Sequence, residues 1–160
     1  MVQQIDGHLD ATGKRFAIIA ARWNAIFTDQ LIEGALASLR QHGADDEDLS
    51  VIRCPGSFEL PQVAARVASA MDVDAIICLG VLIRGDTPHF DHICSQTTAG
   101  ISAVGVDEDI PVAFGVLTCD TMEQAMARSG SKAGNKGQEA ALAALEMASL
   151  YDALDEVADA

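Results

Sequence analysis

Apolar positions along the 160-residue chain follow two different rhythms. Four short runs, Phe16 to Ala21, Leu49 to Arg53, Ala75 to Val81 and Val112 to Leu117, are rich in β-branched and aliphatic side chains. Each has the length of a strand. In Ala75-Ile76-Ile77-Cys78-Leu79 and Val112-Ala113-Phe114-Gly115-Val116 the apolar residues run on without polar alternation, which predicts strands covered on both faces, as in a parallel sheet. Between the runs the spacing lengthens to three and four. Phe27, Leu31, Ala35 and Leu39 stand on one helical face ahead of the stop Gln41-His42-Gly43. Val63, Val67 and Met71, flanked by Ala64 and Ala68, mark a second helix opened by Gly56-Ser57. There the Ser57 hydroxyl suits a cap, and Pro61 is tolerable near the first turn because a missing N–H matters little at that position. A third helix reads from about Thr87 through Phe90, Ile93, Thr97, Ile101 and Val104. Thr121-Met122-Glu123-Gln124 is a capping box that opens a helix to about Ser129. The chain then breaks at Gly130 to Gly134 and resumes as a long alanine-rich helix from about Lys136.

The order βαβαβαβαα predicts a single doubly wound α/β domain over residues 15–160. Its core is a four-stranded parallel sheet flanked by helices, with right-handed crossovers and ligands gathered at the carboxyl ends of the strands. Residues 1–14 read as an N-terminal arm, in which Val2-Gln3-Gln4-Ile5 suits addition to a sheet edge, its own or a neighbour's.

A hydrophobic fraction of 49% supplies a sizeable core and excludes a disordered tail. The net charge of −14 argues against nucleic acid or an anionic membrane as partner, since either polyanion would repel the chain. An anionic substrate therefore needs a local positive site. Met1 to Ala11 lacks the order of a signal peptide, and no apolar run approaches the ~20 residues of a membrane helix, so a soluble cytoplasmic protein is expected. Cys54, Cys78, Cys94 and Cys119 are widely spaced and form no Cys-x-x-Cys pair, which reads as reduced and mostly buried thiols.

The segments directly after each strand hold the candidate chemistry: Ala21-Arg22-Trp23-Asn24, Cys54-Pro55-Gly56-Ser57-Phe58-Glu59, Leu82-Ile83-Arg84-Gly85-Asp86-Thr87-Pro88-His89 and Thr118-Cys119-Asp120. In the third, Thr87 fits an N-cap and Pro88 the first helical position, so the free N–H groups there attract an anion such as phosphate. His89 falls in that first turn, where the positive helix end disfavours protonation and leaves an imidazole suited to accept a proton. The same residues also read simply as a helix start with a surface histidine. His89, Asp91 and His92 lack an obvious third ligand for a metal. Neither a Walker phosphate loop, a dinucleotide fingerprint nor a Gly-x-Ser-x-Gly elbow is present, which disfavours ATP, NAD and a serine nucleophile. Arg128-Ser129-Gly130-Ser131-Lys132-Ala133-Gly134-Asn135-Lys136-Gly137 holds three of the ten basic residues. It reads as the missing positive site or as a helix–helix turn with Arg128 at a helix carboxyl end. Trp23, the one tryptophan, reads as core or as a stacking surface.

In order and spacing, the chain from about Phe16 to Leu150 resembles the lumazine synthase family. The resemblance is carried by Ala21-Arg22-Trp23-Asn24, Pro55-Gly56-Ser57-Phe58-Glu59-Leu60-Pro61, Gly80-Val81-Leu82-Ile83-Arg84-Gly85-Asp86-Thr87-Pro88-His89-Phe90-Asp91, Pro111-Val112-Ala113-Phe114-Gly115-Val116-Leu117-Thr118 and Ala133-Gly134-Asn135-Lys136-Gly137. It implies a flavodoxin-like fold and the condensation of 5-amino-6-(D-ribitylamino)uracil with 3,4-dihydroxy-2-butanone 4-phosphate to 6,7-dimethyl-8-ribityllumazine, the penultimate step of riboflavin biosynthesis, without metal or organic cofactor. By the same resemblance Trp23 stacks on the pyrimidine, while Ser57, Phe58, Glu59, Val81, Leu82 and Ile83 hold the ring and ribityl chain. Asp86, Thr87 and Arg128 hold the phosphate, and His89 transfers protons.

The resemblance further implies homopentamers with sites between subunits, to which Phe114, Arg128 and Lys136 come from the adjacent chain. Twelve pentamers forming an icosahedral shell are favoured by the short turn at Gly130 to Lys136, and riboflavin synthase is a candidate partner. Two departures stand out. Trp23 occupies a position that is phenylalanine in many relatives, and Asp86 sets a carboxylate beside the expected phosphate, which is reconciled if its backbone N–H binds and its side chain turns away. The rival readings are a non-catalytic lumazine or flavin carrier, a sibling enzyme that dismutates lumazines to riboflavin, and an FMN electron carrier.

Overall fold

The computed structural model describes residues 1–159. Four parallel strands, β1 (Phe16–Ala21), β2 (Leu49–Cys54), β3 (Ala75–Ile83) and β4 (Val112–Cys119), form one sheet in the order β2-β1-β3-β4. The chain leaves β1 towards β2 on one side and later reaches β3 and β4 on the other, so a topological switch point lies between the carboxyl ends of β1 and β3. Five helices accompany the sheet: α1 (Ala25–Gln41), α2 (Leu60–Ala70), α3 (His89–Asp107), α4 (Met122–Arg128) and α5 (Lys136–Ala158).

Side chains of successive strand residues point to opposite faces, and the core divides accordingly. Phe16, Ile18 and Ala20 of β1 with Ile77, Leu79 and Val81 of β3 pack against Leu31, Ala35 and Leu39 of α1 and Ala141, Ala144 and Leu145 of α5. Ala17 and Ile19 with Ile76 and Cys78 pack on the other face against Leu60, Ala64 and Val67 of α2 and Ile101 and Val104 of α3. The central strands β1 and β3 are covered on both sides, as their unbroken apolar runs predict. At the edge the expectation is corrected: in β4 Phe114 is exposed although its run is equally apolar, because β4 is an edge strand with a neighbour on one side only.

Three local readings also change. Ser57 caps no helix; its buried hydroxyl lies against β3, where a Cβ on Gly80 would come within 2.6 Å of Oγ, and a 3-10 turn over Ser57–Glu59 precedes α2. Met71 lies just beyond α2, at its carboxyl cap, and is exposed. α3 begins at His89, with Pro88 rather than Thr87 at the cap position. The break before the last helix is a small antiparallel hairpin of β5 (Ser129–Ser131) and β6 (Gly134–Asn135), with Gly130 at φ 112° and Gly134 at φ 79° serving the turn. Residues 1–14 hold no strand and pair with none in this chain. His8 donates its N–H to Ser149 Oγ at 2.7 Å and Ala11 its N–H to the His42 carbonyl at 2.8 Å, which lays the segment along α5 and the end of α1.

Candidate functional site

The residues after β1 turn on Asn24. Its left-handed backbone, φ 59° and ψ 44°, is a conformation asparagine tolerates better than most residues, and it lets α1 start at once. The Asn24 carbonyl accepts from the N–H groups of Phe27 and Thr28, while its side-chain amide donates to the Val81 carbonyl at 2.7 Å. That bond ties the end of β1 to the end of β3. Trp23, one residue earlier, is thrown outward and is 73% exposed, so of its two readings the core is excluded. Across from it the bend after β2 holds Gly56, whose hydrogen side faces the indole: a Cβ there would meet Trp23 Cδ1 at 3.3 Å and Glu59 Oε2 at 3.1 Å.

These ends enclose a cleft of about 490 Å³ at the switch point, lined by Trp23, Asn24, Gly56, Ser57, Phe58, Glu59, Val81, Leu82, Ile83, His89 and Ile93. Its walls are mainly apolar, with Trp23 and a half-exposed Phe58 offering two aromatic faces. A flat conjugated ring fits such a slot, and Glu59 and the strand-end backbone supply polar contacts. Beyond His89 a smaller recess of about 170 Å³ is lined by Gly85, Thr87, His89 and Phe90, among others. The Thr87 hydroxyl accepts from the His89 N–H at 3.4 Å, a long bond that leaves the amides of this helix start open to an anion. Asp86 is exposed, lines neither cavity and makes no hydrogen bond among the described residues.

Phe114, Arg128 and Lys136 do not join this cleft. They line another, of about 350 Å³, along the free edge of β4 with Thr118, Glu139 and Ala143. Thr121 opens α4 by accepting from the Gln124 N–H at 3.2 Å, and Arg128 ends that helix, donating to the Gln124 carbonyl at 3.2 Å. Arg128 is thus the helix-end partner that one of its readings expects, and it also lines this cavity. Asn135 opens α5, its Oδ1 accepting from Gly137 and Gln138, while its amide donates to the Gln30 carbonyl at 2.9 Å. Lys136 then pairs with Glu139 at 2.7 Å on the cleft wall. The two main clefts have no lining residue in common.

Residues 13–152 match the family model of 6,7-dimethyl-8-ribityllumazine synthase. Curated relatives of that name are 52% identical in Desulfotalea psychrophila, over 94% of this chain and 97% of the relative, and 52% in Chlorobium phaeobacteroides over the same shares. Another in Chlorobaculum tepidum is 51% identical over 96% of this chain and 99% of its own length. The chain belongs to the lumazine synthase family.

Lining residues to which the sequence alone assigned no binding role include Asn24, Gly56, Ile93 and Glu139. Asn24 was visible as part of Ala21-Arg22-Trp23-Asn24, and its signal was the αL tolerance of asparagine directly ahead of an apolar helical period. Glu139 was visible as the (i, i+3) partner of Lys136. The cysteines take no part in the cleft chemistry. Cys54, Cys78 and Cys119 are buried and all four are free, and burial pushes the Cys78 thiol up to about 12, far from a reactive thiolate. Among the described residues no three His, Cys, Asp or Glu side chains gather as a metal site, and no helix is long and apolar enough to cross a membrane.

Proposed function

We propose that the protein is the transferase that condenses 5-amino-6-(D-ribitylamino)uracil with 3,4-dihydroxy-2-butanone 4-phosphate, giving 6,7-dimethyl-8-ribityllumazine, phosphate and water, in the cytoplasm. The observation that carries this reading is the cleft at the switch point, where an exposed indole stands over an apolar slot with His89 at its rim. The pyrimidine stacks on Trp23, and Ser57, Phe58, Glu59 and Val81 to Ile83 hold ring and ribityl chain. The phosphate rests on the backbone N–H groups at Asp86 and Thr87, with Arg128 as its counter-charge. Four free cysteines suit a reducing compartment.

Each step of the reaction moves protons. The 5-amino group adds to the ketone, water leaves and an imine forms. His89 then takes a proton from the adjacent carbon as phosphate departs, the enol so formed tautomerises to a new ketone, and the second amine closes the ring onto that carbonyl with loss of water. A basic imidazole serves the carbon proton, and the helix start with Arg128 accommodates charge on the leaving phosphate. Holding two reactants side by side supplies much of the remaining acceleration.

In this reading each site is completed by a neighbour, the Trp23 cleft of one subunit facing the Phe114, Arg128 and Lys136 cleft of the next, and the position of Arg128 in the cleft along β4 supports it. Homopentamers satisfy this arrangement, the short hairpin between Gly130 and Lys136 favours twelve of them in a shell, and Val2 to Ile5, ahead of the His8 anchor on α5, take part in subunit pairing. Sedimentation distinguishes five chains from sixty. Mixing the protein with both precursors should release phosphate and raise lumazine fluorescence together. A carrier would bind without forming product, and a dismutating sibling would consume added lumazine; either result overturns the reading.

A further inference from the structure

We propose that Arg84 is a positioning residue for the reaction described above, a clamp that holds the His89 turn against the end of β4. The inference rests on His89 being the proton acceptor, but the clamp itself is a matter of geometry. Residues 85–88 have few anchors of their own: Gly85 has open space where a side chain would stand, Asp86 makes no hydrogen bond among the described residues, and Thr87 reaches His89 N only at 3.4 Å. Arg84 stands at the root of this loop, where its N–H donates to the Cys119 carbonyl at 2.9 Å and continues the β3–β4 ladder.

From there its guanidinium reaches three groups. Nε donates to Asp120 Oδ1 at 2.8 Å, Nη1 donates to Asp91 Oδ1 at 3.1 Å, and Cζ lies 4.4 Å from the centre of the Phe90 ring. Phe90 and Asp91 are the two residues after His89, in the first turn of α3. Asp120 is itself fixed, its N–H donating to Gln124 Oε1 at 2.7 Å in the first turn of α4. One planar cation thus joins the start of α3 to the start of α4 and closes the loop between its two ends. These ion pairs are solvent-facing, with 44% of the Arg84 side chain exposed, so each contributes little to stability. Their joint effect is on where His89 stands. A lysine has no flat fork and cannot reach both carboxylates while lying over Phe90.

The test compares Arg84→Ala, Arg84→Lys and Asp120→Asn with the parent protein by steady-state kinetics and amide hydrogen exchange. Since ~1 Å of misplacement can cost ~100-fold, Arg84→Ala should lower kcat about tenfold and leave both KM values within about twofold, with Arg84→Lys recovering part of the loss. In a His89→Ala background, Arg84→Ala should cause little further loss, because the clamp acts through that imidazole. Exchange should quicken at residues 85–91 and stay unchanged across the sheet. Parental kcat in Arg84→Ala, a full additional loss in the His89→Ala background, or unchanged exchange at 85–91 would each overturn the clamp. Should Arg84→Ala not fold, Asp120→Asn keeps the shape and removes one anchor; unaltered exchange there overturns the proposal equally. If the parent protein makes no lumazine, the reaction reading fails, while the exchange comparison still decides the clamp.

Discussion

At the scale of single residues, His89 and Asp86 stand three apart in one loop and meet opposite fates. His89 is exposed at the rim of the larger cleft, on the first turn of a 19-residue helix. The role of base proposed for it rests on that position, and its contribution would be bounded because orientation of two reactants works without it. Replacing it by alanine should therefore lower kcat roughly 100-fold without abolishing turnover, as general base catalysis contributes on that order. Stopped-flow lumazine formation at saturating substrates measures this, and unchanged turnover would remove His89 from the chemistry. Asp86, exposed and without a hydrogen bond among the described residues, is proposed to offer its backbone rather than its carboxylate. Asp86→Ala should accordingly leave inorganic phosphate affinity within about threefold, or tighten it by removing a like charge. Calorimetry reads this directly; a severe loss would assign the side chain to phosphate binding.

At the scale of elements, much of the architecture was legible because its periods are unambiguous. Phe16–Ala21 is the strand the apolar run predicts, and β3 exceeds its predicted end at Val81 only because Leu82 and Ile83 continue the ladder with Thr118 and Cys119. The hairpin at 129–135 was not legible, since Ser-Gly-Ser and Gly-Asn carry no hydrophobic alternation. Ser57 misled for a related reason: a serine before a helix resembles a cap, and only the tertiary approach of Gly80 shows where its hydroxyl goes. Strand ends located most of the first cleft, because doubly wound sheets gather ligands there. The separate cleft at Arg128 and Lys136 lies along an edge, which no local period announces. Its position is set by α5 packing on α1. A Cβ on Gly137 would overlap the Leu31 carbonyl, so the two helices meet at a glycine beside Lys136. Gly137→Ala should therefore destabilise the fold by about 3 kcal/mol and displace Lys136. Urea denaturation at fixed protein concentration checks the first effect. A loss below about 0.5 kcal/mol would mean the α1–α5 contact adjusts without strain, as surface substitutions do.

At the scale of the whole molecule, the proposed reaction requires two clefts without a shared wall to act as one site. The Trp23 cleft lies at the switch point between β1 and β3, whereas the Arg128 cleft lies beyond β4, on the sheet's outer edge. The sheet's order fixes this separation, so no side-chain rotation within a chain unites them. The cyclic assembly proposed above would, because a heterologous interface sets one surface of each subunit against a different surface of the next. Net repulsion between chains of charge −14 is a reason for the interface to hold its cations locally, at Arg128 and Lys136. The proposed arrangement and a site within one chain differ in how mixed assemblies behave. His89→Ala and Arg128→Ala damage opposite halves, so a neighbour pair of one variant each assembles an intact site in one of its two orders. Co-expressed in equal amounts and purified as mixed assemblies, the two should form about a quarter of their sites with both residues present. Activity per subunit should then rise well above the mean of the separate variants, towards about a quarter of the parent value. Variants purified apart and mixed without subunit exchange should show only that mean. Co-expressed assemblies that also gave the mean would place His89 and Arg128 in the same half, and with it would fall the completion of each site by a neighbour.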